Sequence, residues 1–242
     1  TISYMSLVLI RHGKSVWNSE NIFTGWVDVD LHNEGVREAK KSADLLKEAN
    51  IKPSICFTSY LKRAQNTLDI ILKELNLESL PVHRSWKLNE RHYGALQGLN
   101  KDDVKNKYGD DQFLKWRRSY DVPPPSLDEN HNSNPNHDPL YKEDKGSLPL
   151  TECLKDTYDR VIPYWMETIE PALNNNTIII AAHGNSLRAL CKKLFNISDG
   201  NIVHLEIPTG NPLLINLNNS CKITAASYLD PSRSEKLPKI DI

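Results

Sequence analysis

Two apolar runs with matching ends constrain this chain more than any other feature. Leu7, Val8, Leu9 and Ile10 lead directly into Arg11, His12 and Gly13. Ile178, Ile179, Ile180, Ala181 and Ala182 lead directly into His183, Gly184, Asn185 and Ser186. Short continuous runs of this kind, rich in β-branched residues, suit strands covered on both faces, as in a parallel sheet between two helical layers. In open α/β sheets, ligands gather beyond the carboxyl ends of the strands. Each run therefore carries an imidazole to a ligand-binding edge. If the two strands are neighbours, the rings converge on one site. Either histidine alone would be an ordinary loop residue; the matched pair carries the argument.

The rest of the pattern completes such a sheet. A helix is expected over 35–49, capped by Asn33, with Val36, Ala39, Ala43 and Leu46 on one face. Strands are expected over 55–58 and 81–86, and edge strands over 212–217 and 222–228. Further helices are expected over 59–75, 102–108, 112–120, 186–195 and 151–168, the last capped by Thr151 and kinked at Pro163. The segment 17–31 lacks periodicity and reads as a loop over the site. Between 122 and 149 the chain carries six prolines amid Asn and Asp, an irregular excursion of the kind that often forms a lid. The predicted whole is one α/β domain over 1–242, a three-layer sandwich with a mostly parallel central sheet and helices on both faces. A short tail follows from about 230, and Thr1–Tyr4, ahead of Met5, read as a remnant of expression.

Composition narrows the function classes. Thirty Lys and Arg stand against 31 Asp and Glu, which argues against a general nucleic-acid binder. Four scattered cysteines without a CxxC pair read as reduced thiols, not as a disulfide framework or zinc site. No stretch reads as a signal peptide or a membrane span, so a cytoplasmic protein is expected. His131 and His137 lie in a polar loop and read as solvated.

Several segments carry a resemblance: RHGKSVWN, FTGWVDVDL, SYLKRAQNT, KLNERHYGALQGLNK, FLKWRRSY and AAHGNSLRAL. Together they closely resemble the cofactor-dependent phosphoglycerate mutases of the histidine phosphatase superfamily, over about 7–229. RHG alone specifies only the superfamily; NERHYGALQG and the WRR triplet are far more specific. Lys14 departs from the pattern, since the family commonly has an acidic residue after RHG.

The resemblance implies interconversion of 3-phosphoglycerate and 2-phosphoglycerate in glycolysis and gluconeogenesis. It implies a phosphohistidine enzyme primed by 2,3-bisphosphoglycerate, which is also the intermediate. His12 is the expected nucleophile, since a neutral imidazole offers a lone pair to phosphorus. Arg11, Arg63 and His183 are expected to neutralise the transferring phosphoryl. Glu90 is the expected general acid and base, its pKa raised by bound phosphate. Lys101, Arg117 and Arg118, with Tyr93, are expected to hold the carboxylate and second phosphate. Asn18, Thr24, Gly25, Gly184 and Asn185 also match binding positions. Arginine and histidine stand where many phosphoryl-transfer enzymes use Mg²⁺, so no metal is expected. The family implies a homodimer or homotetramer. Three alternatives remain open at this level: a phosphatase of the same superfamily, a bisphosphoglycerate synthase, and an idle phosphate-binding scaffold.

Overall fold

The computed structural model describes residues 5–239, so Thr1–Tyr4 lie outside the described residues. Six strands form one sheet: β1 Met5–Arg11, β2 Ile55–Thr58, β3 Val82–Arg84, β4 Thr177–Ala182, β5 Leu213–Leu217 and β6 Ile223–Tyr228, in the order β3-β2-β4-β1-β5-β6. β3, β2, β4 and β1 are mutually parallel, while β5 runs antiparallel to both β1 and β6. The two histidine-bearing strands are thus direct neighbours, with Arg11 opposite Ala182.

The seven helices are α1 Val16–Ser19, α2 Asn33–Glu48, α3 Lys62–Glu74, α4 Lys101–Tyr108, α5 Asp110–Arg118, α6 Leu154–Tyr164 and α7 Gly184–Leu194, counted among the described residues. Alternation along β1 explains its continuous apolar run. Leu7 and Leu9 pack with Leu154 and Val161 of α6 and Leu187 and Leu190 of α7. Val8 and Ile10 pack on the other face with Ala43 and Leu46 of α2 and Leu68 and Ile71 of α3. Both faces are covered over Leu7–Ile10, so none of these four positions can be polar without loss.

Helix starts differ from expectation where tertiary contacts decide them. His32, not Asn33, caps α2, its Nδ1 accepting the Glu34 N–H at 3.1 Å. The His32 N–H bonds the Lys14 carbonyl at 2.9 Å, which keeps the chain extended to that residue. Cys153 precedes α6, because the Thr151 hydroxyl is turned away to donate to the Pro124 carbonyl at 2.7 Å. The helix carries Pro163 in its last turn and widens into a π-helical turn at Trp165–Ile169. β5 is not an edge strand. Its alternately buried Leu213, Ile215 and Leu217 lie between β1 and β6, which leaves β3 and β6 at the edges.

The proline-rich excursion holds two short 3₁₀ turns, Pro135–His137 and Pro139–Asp144. It packs Tyr141 and Leu148 against Trp26 and Trp86, and the Tyr141 hydroxyl accepts from Asn89 Nδ2 at 2.9 Å. It therefore buttresses the loop that carries Glu90. The tail turns back onto α2, where Arg233 reaches Glu38 Oε2 at 2.6 Å.

Candidate active site

The site begins where β1 and β4 end. The His12 N–H bonds the Ala182 carbonyl at 3.0 Å, which ties the first corner to the second strand. The His12 and His183 rings lie with centroids 5.1 Å apart, tilted by 59°. Gly13 serves close approach: a Cβ there would meet the Gly35 carbonyl oxygen at 2.3 Å. The corner can therefore lie directly against the start of α2.

His12 Nδ1 lies 2.6 Å from the Gly13 carbonyl. A carbonyl only accepts, so Nδ1 carries the proton and Nε2 keeps the lone pair. Burial, then Arg63 and Arg11, hold the His12 pKa well below the ordinary imidazole value. His183 is likewise lowered, first by burial and then by Arg63 and His12. Both rings are therefore neutral, and His183 can act only by donating from one nitrogen. Its Nε2 meets Ser59 Oγ at 2.8 Å, while Nδ1 is buried without a partner among the described residues. The Ser59 hydroxyl also accepts the Leu61 N–H at 3.1 Å, which delays α3 beyond its expected start at 59.

Two guanidiniums flank the histidines. Arg63, in the first turn of α3, is buried and donates to the carbonyls of Val27 at 2.9 Å and Gly25 at 2.7 Å. Gly25 presents that carbonyl from a left-handed backbone, φ +54°, where a side chain would also strike Gln97. Burial lowers Arg63 to about 10, partly opposed by Glu90 and Asp28, so it remains a cation at neutral pH. Arg11 donates from Nη1 to the Ile207 carbonyl at 2.9 Å. Its Nε is buried and without a partner among the described residues.

Glu90 faces the same cavity. Its Oε1 accepts the N–H groups of Arg91 at 2.8 Å and Asn185 at 3.1 Å. The second of these exists because α7 starts at Gly184, two residues earlier than expected, and aims its first N–H groups at the site. Oε2 has no protein partner among the described residues. The Glu90 backbone carbonyl accepts from Trp26 Nε1 at 2.5 Å and Arg160 Nη2 at 2.8 Å. Arg160 also bonds the Lys87 carbonyl at 2.7 Å and pairs with buried Glu152, and Glu152 Oε1 accepts the His92 N–H at 2.9 Å. This brace fixes both sides of the Glu90 turn. Breaking one half would strand a buried charge, so the informative variant is the double one, Arg160→Met with Glu152→Gln. It should stay folded and bind substrate, but lose about 10²-fold in kcat through misplacement of Glu90. Unchanged kcat, with a cooperative melt, would show that the brace serves stability alone.

The far end of the cavity is cationic. Lys101 opens α4, and Arg117 and Arg118 close α5. Trp116 is buried with Phe23, Leu96, Val104 and Phe113, which anchors that helix end. Lys101 lies over Phe23 and Arg117 over Phe113, at 5.7 and 5.6 Å from the ring centroids. Burial lowers the pKa of both cations. The Tyr93 hydroxyl accepts from Asn185 Nδ2 at 3.2 Å. Asn18 is fixed by a reciprocal cap with Ser15, with bonds of 3.0 Å in each direction.

The cavity measures about 110 Å³, against roughly 10–15 Å³ for one water. Arg11, His12, Asn18, Thr24, Gly25, Arg63, Glu90, Tyr93, Lys101, Arg117, Arg118, Gly184 and Asn185 all line it. His183 lies fully buried against His12 and is not in the wall. No residue of 122–149 lines the cavity, and Lys14 pairs with Glu34 at 3.2 Å outside it. Sequence reasoning missed Arg188 and Glu206, which also line the wall. Arg188 stands one turn after Gly184 in the otherwise apolar stretch Leu187–Cys191 of α7, a signal that could have found it. Glu206 has no motif around it.

The family model described as "Histidine phosphatase superfamily (branch 1)" matches residues 7–222. Among solved structures, a phosphoglycerate mutase from Bacillus anthracis is similar with TM-score 0.69 at 20% identity, covering 96% of each chain. A putative alpha-ribazole-5'-P phosphatase from Escherichia coli is similar with TM-score 0.68 at 20% identity, covering 91% of this chain and 94% of the other. These likenesses show a shared fold, a six-stranded sheet between helical layers.

Sequence relatives are more specific. A protein of Maricaulis maris is 51% identical over 97% of this chain and 98% of its own length. One of Cutibacterium acnes is 53% identical over 93% of this chain and 92% of its own length. Both are named 2,3-bisphosphoglycerate-dependent phosphoglycerate mutase. The chain belongs to the histidine phosphatase superfamily and, within it, to the 2,3-bisphosphoglycerate-dependent phosphoglycerate mutases.

Proposed function

We infer that the enzyme interconverts 3-phosphoglycerate and 2-phosphoglycerate, the isomerisation shared by glycolysis and gluconeogenesis, through a phosphorylated His12. One observation carries this reading: a single cavity joins a neutral nucleophile between two arginines to a separate cationic end at Lys101, Arg117 and Arg118. A ligand anionic at both ends suits such a cavity. Arg11 lines the cavity, and its Nε, without a partner among the described residues, is a donor position that fits a phosphoryl oxygen. Bound 2,3-bisphosphoglycerate supplies the phosphoryl that primes His12.

His12 Nε2 attacks phosphorus, an N–P bond forms and a P–O bond breaks. Arg11 and Arg63 face the charge that spreads over the equatorial oxygens, and His183, buried behind His12, is assigned as a further N–H donor to it. Glu90 delivers a proton to the departing alkoxide oxygen. In the reverse sense, Glu90 takes the proton from the attacking hydroxyl of the monophosphate while the N–P bond breaks. Lys101, Arg117, Arg118 and Tyr93 hold the non-reacting end, and the doubly phosphorylated species turns end for end before His12 takes the other phosphoryl. Asn18, Thr24, Gly25, Gly184 and Asn185 complete the wall as hydrogen-bonding positions. This reading assigns charge neutralisation to side chains and calls on no metal.

The test is turnover of 3-phosphoglycerate in a coupled assay, with and without added 2,3-bisphosphoglycerate. Isomerisation stimulated by the bisphosphate is expected; release of inorganic phosphate alone would make the enzyme a phosphatase. The same assay examines the cationic end. Arg117→Ala should weaken isomerisation more than hydrolysis, since water needs no grip on a second anionic group. Removing a charged hydrogen bond to one ligand oxygen costs about 2–5 kcal/mol. Equal proportional loss of both activities would reduce the cluster to general phosphate binding. The family further supports a homodimer or homotetramer in the cytoplasm, which sedimentation and fractionation would check. Among the described residues, no helix is long and apolar enough to cross a membrane.

A further inference from the structure

One carboxylate in the cavity wall has no part in phosphoryl or proton transfer: Glu206. Its neighbours place it. Leu205 and Ile207 are buried, and their carbonyls accept from Arg188 Nε and Arg11 Nη1, each at 2.9 Å. Leu205 is extended, with φ −81° and ψ 123°. Extended backbone sends successive side chains to opposite sides, so burial of 205 and 207 leaves Glu206 facing the cavity. There it pairs with Arg118.

The pairing is unusual for an anion-binding cavity. Lys101 and Arg117 make no ion pair among the described residues and rest against aromatic rings instead. Three of the five Arg188 N–H groups go to the Leu205 and Ile202 carbonyls and Asn185 Oδ1, and it makes no ion pair among the described residues. Among the described residues, Arg118 is the cation at this end that holds a carboxylate, and a ligand's carboxylate or phosphate would compete with it for the guanidinium. The two side chains are 29% and 45% exposed, so the pair is solvated and exchangeable.

We propose that Glu206 is a resident counter-anion for Arg118, displaced by the non-reacting anionic end of the substrate, and that it sets affinity at that end of the cavity. The proposal rests on the phosphoglycerate reading of the site. With the cavity empty, the pair relieves repulsion within the cationic cluster. On binding, Arg118 exchanges one carboxylate for another anion, so its attraction to the ligand is offset by the breaking of its bond to Glu206. On product release the exchange runs backwards, and Glu206 helps the ligand leave.

The experiment is a double-mutant cycle in which calorimetry measures the Kd of 3-phosphoglycerate. Glu206→Gln should tighten binding about three- to ten-fold, the scale of one partly exposed ion pair. In an Arg118→Met background the same change should have less than about a two-fold effect. Unchanged or weaker binding in Glu206→Gln would overturn the proposal, since Glu206 would then be orienting Arg118 for the ligand. Equal tightening in both backgrounds would also overturn it, by reducing Glu206 to a diffuse negative charge. Isomerisation by the unmodified enzyme is measured alongside; its failure would overturn the substrate assignment separately from the cycle.

Discussion

His12→Ala is expected to leave no acid-labile, base-stable label on the protein after incubation with 2,3-bisphosphoglycerate labelled in its phosphoryl groups, and to lower isomerisation by about 10⁴–10⁶-fold. The geometry leaves the reaction no second nucleophile of equal standing. His12 Nδ1 is committed to the Gly13 carbonyl at 2.6 Å, which leaves Nε2 to attack. The depressed pKa, caused first by burial and then by Arg63 and Arg11, keeps that lone pair free into mildly acidic solution. His183 is also neutral, but Ser59 engages its Nε2 and it does not line the cavity. The decisive comparison is His12→Ala against His183→Ala. The first should lose the label outright; the second should still take label, more slowly, because it loses only a donor to the transition state. Equal label on His12→Ala and the unmodified enzyme would move the nucleophile elsewhere.

The parts legible in the sequence are those that burial dictates. β2 and β4 fall where their apolar runs lie, and the convergence of His12 and His183 follows from the two runs being neighbours. Arg63 was legible through its place in the first turn after a strand. Features set by contacts between distant residues were not legible. The cap of α2 passes to His32 because Lys14, eighteen positions away, holds its backbone. The cap of α6 passes to Cys153 because Thr151 is tied to Pro124. β5 carries the same alternating pattern as an edge strand, and only pairing on both sides reveals it as internal. Composition marks 122–149 as irregular, but cannot say that it props the Glu90 loop through Tyr141 and Asn89. The full wall of the cavity needed the structure too, because Glu206 reaches it from a short extended segment with no motif of its own.

Glu90→Gln separates proton transfer from phosphoryl transfer. Gln keeps an oxygen to accept the N–H groups of Arg91 and Asn185, now at 2.8 and 3.1 Å, so the turn keeps its shape. What it loses is the ability to take and return a proton. Turnover of 3-phosphoglycerate should fall by about 10²–10⁴-fold, while Kd stays level or tightens, because a negative charge has left an anion site. A leaving group that needs no proton offers the sharper reading. Phosphorylation of His12 by an activated aryl phosphate expels a stable phenolate, and should survive in Glu90→Gln at close to the unmodified rate. Parallel loss with both donors would make Glu90 a positioning residue for Asn185 and the α7 start. Turnover within a few-fold of the unmodified enzyme would assign the proton to another group. The expected split follows from the two oxygens of one side chain: Oε1 holds the loop and helix together, and Oε2, without a protein partner among the described residues, is the oxygen the proposed mechanism assigns to the proton.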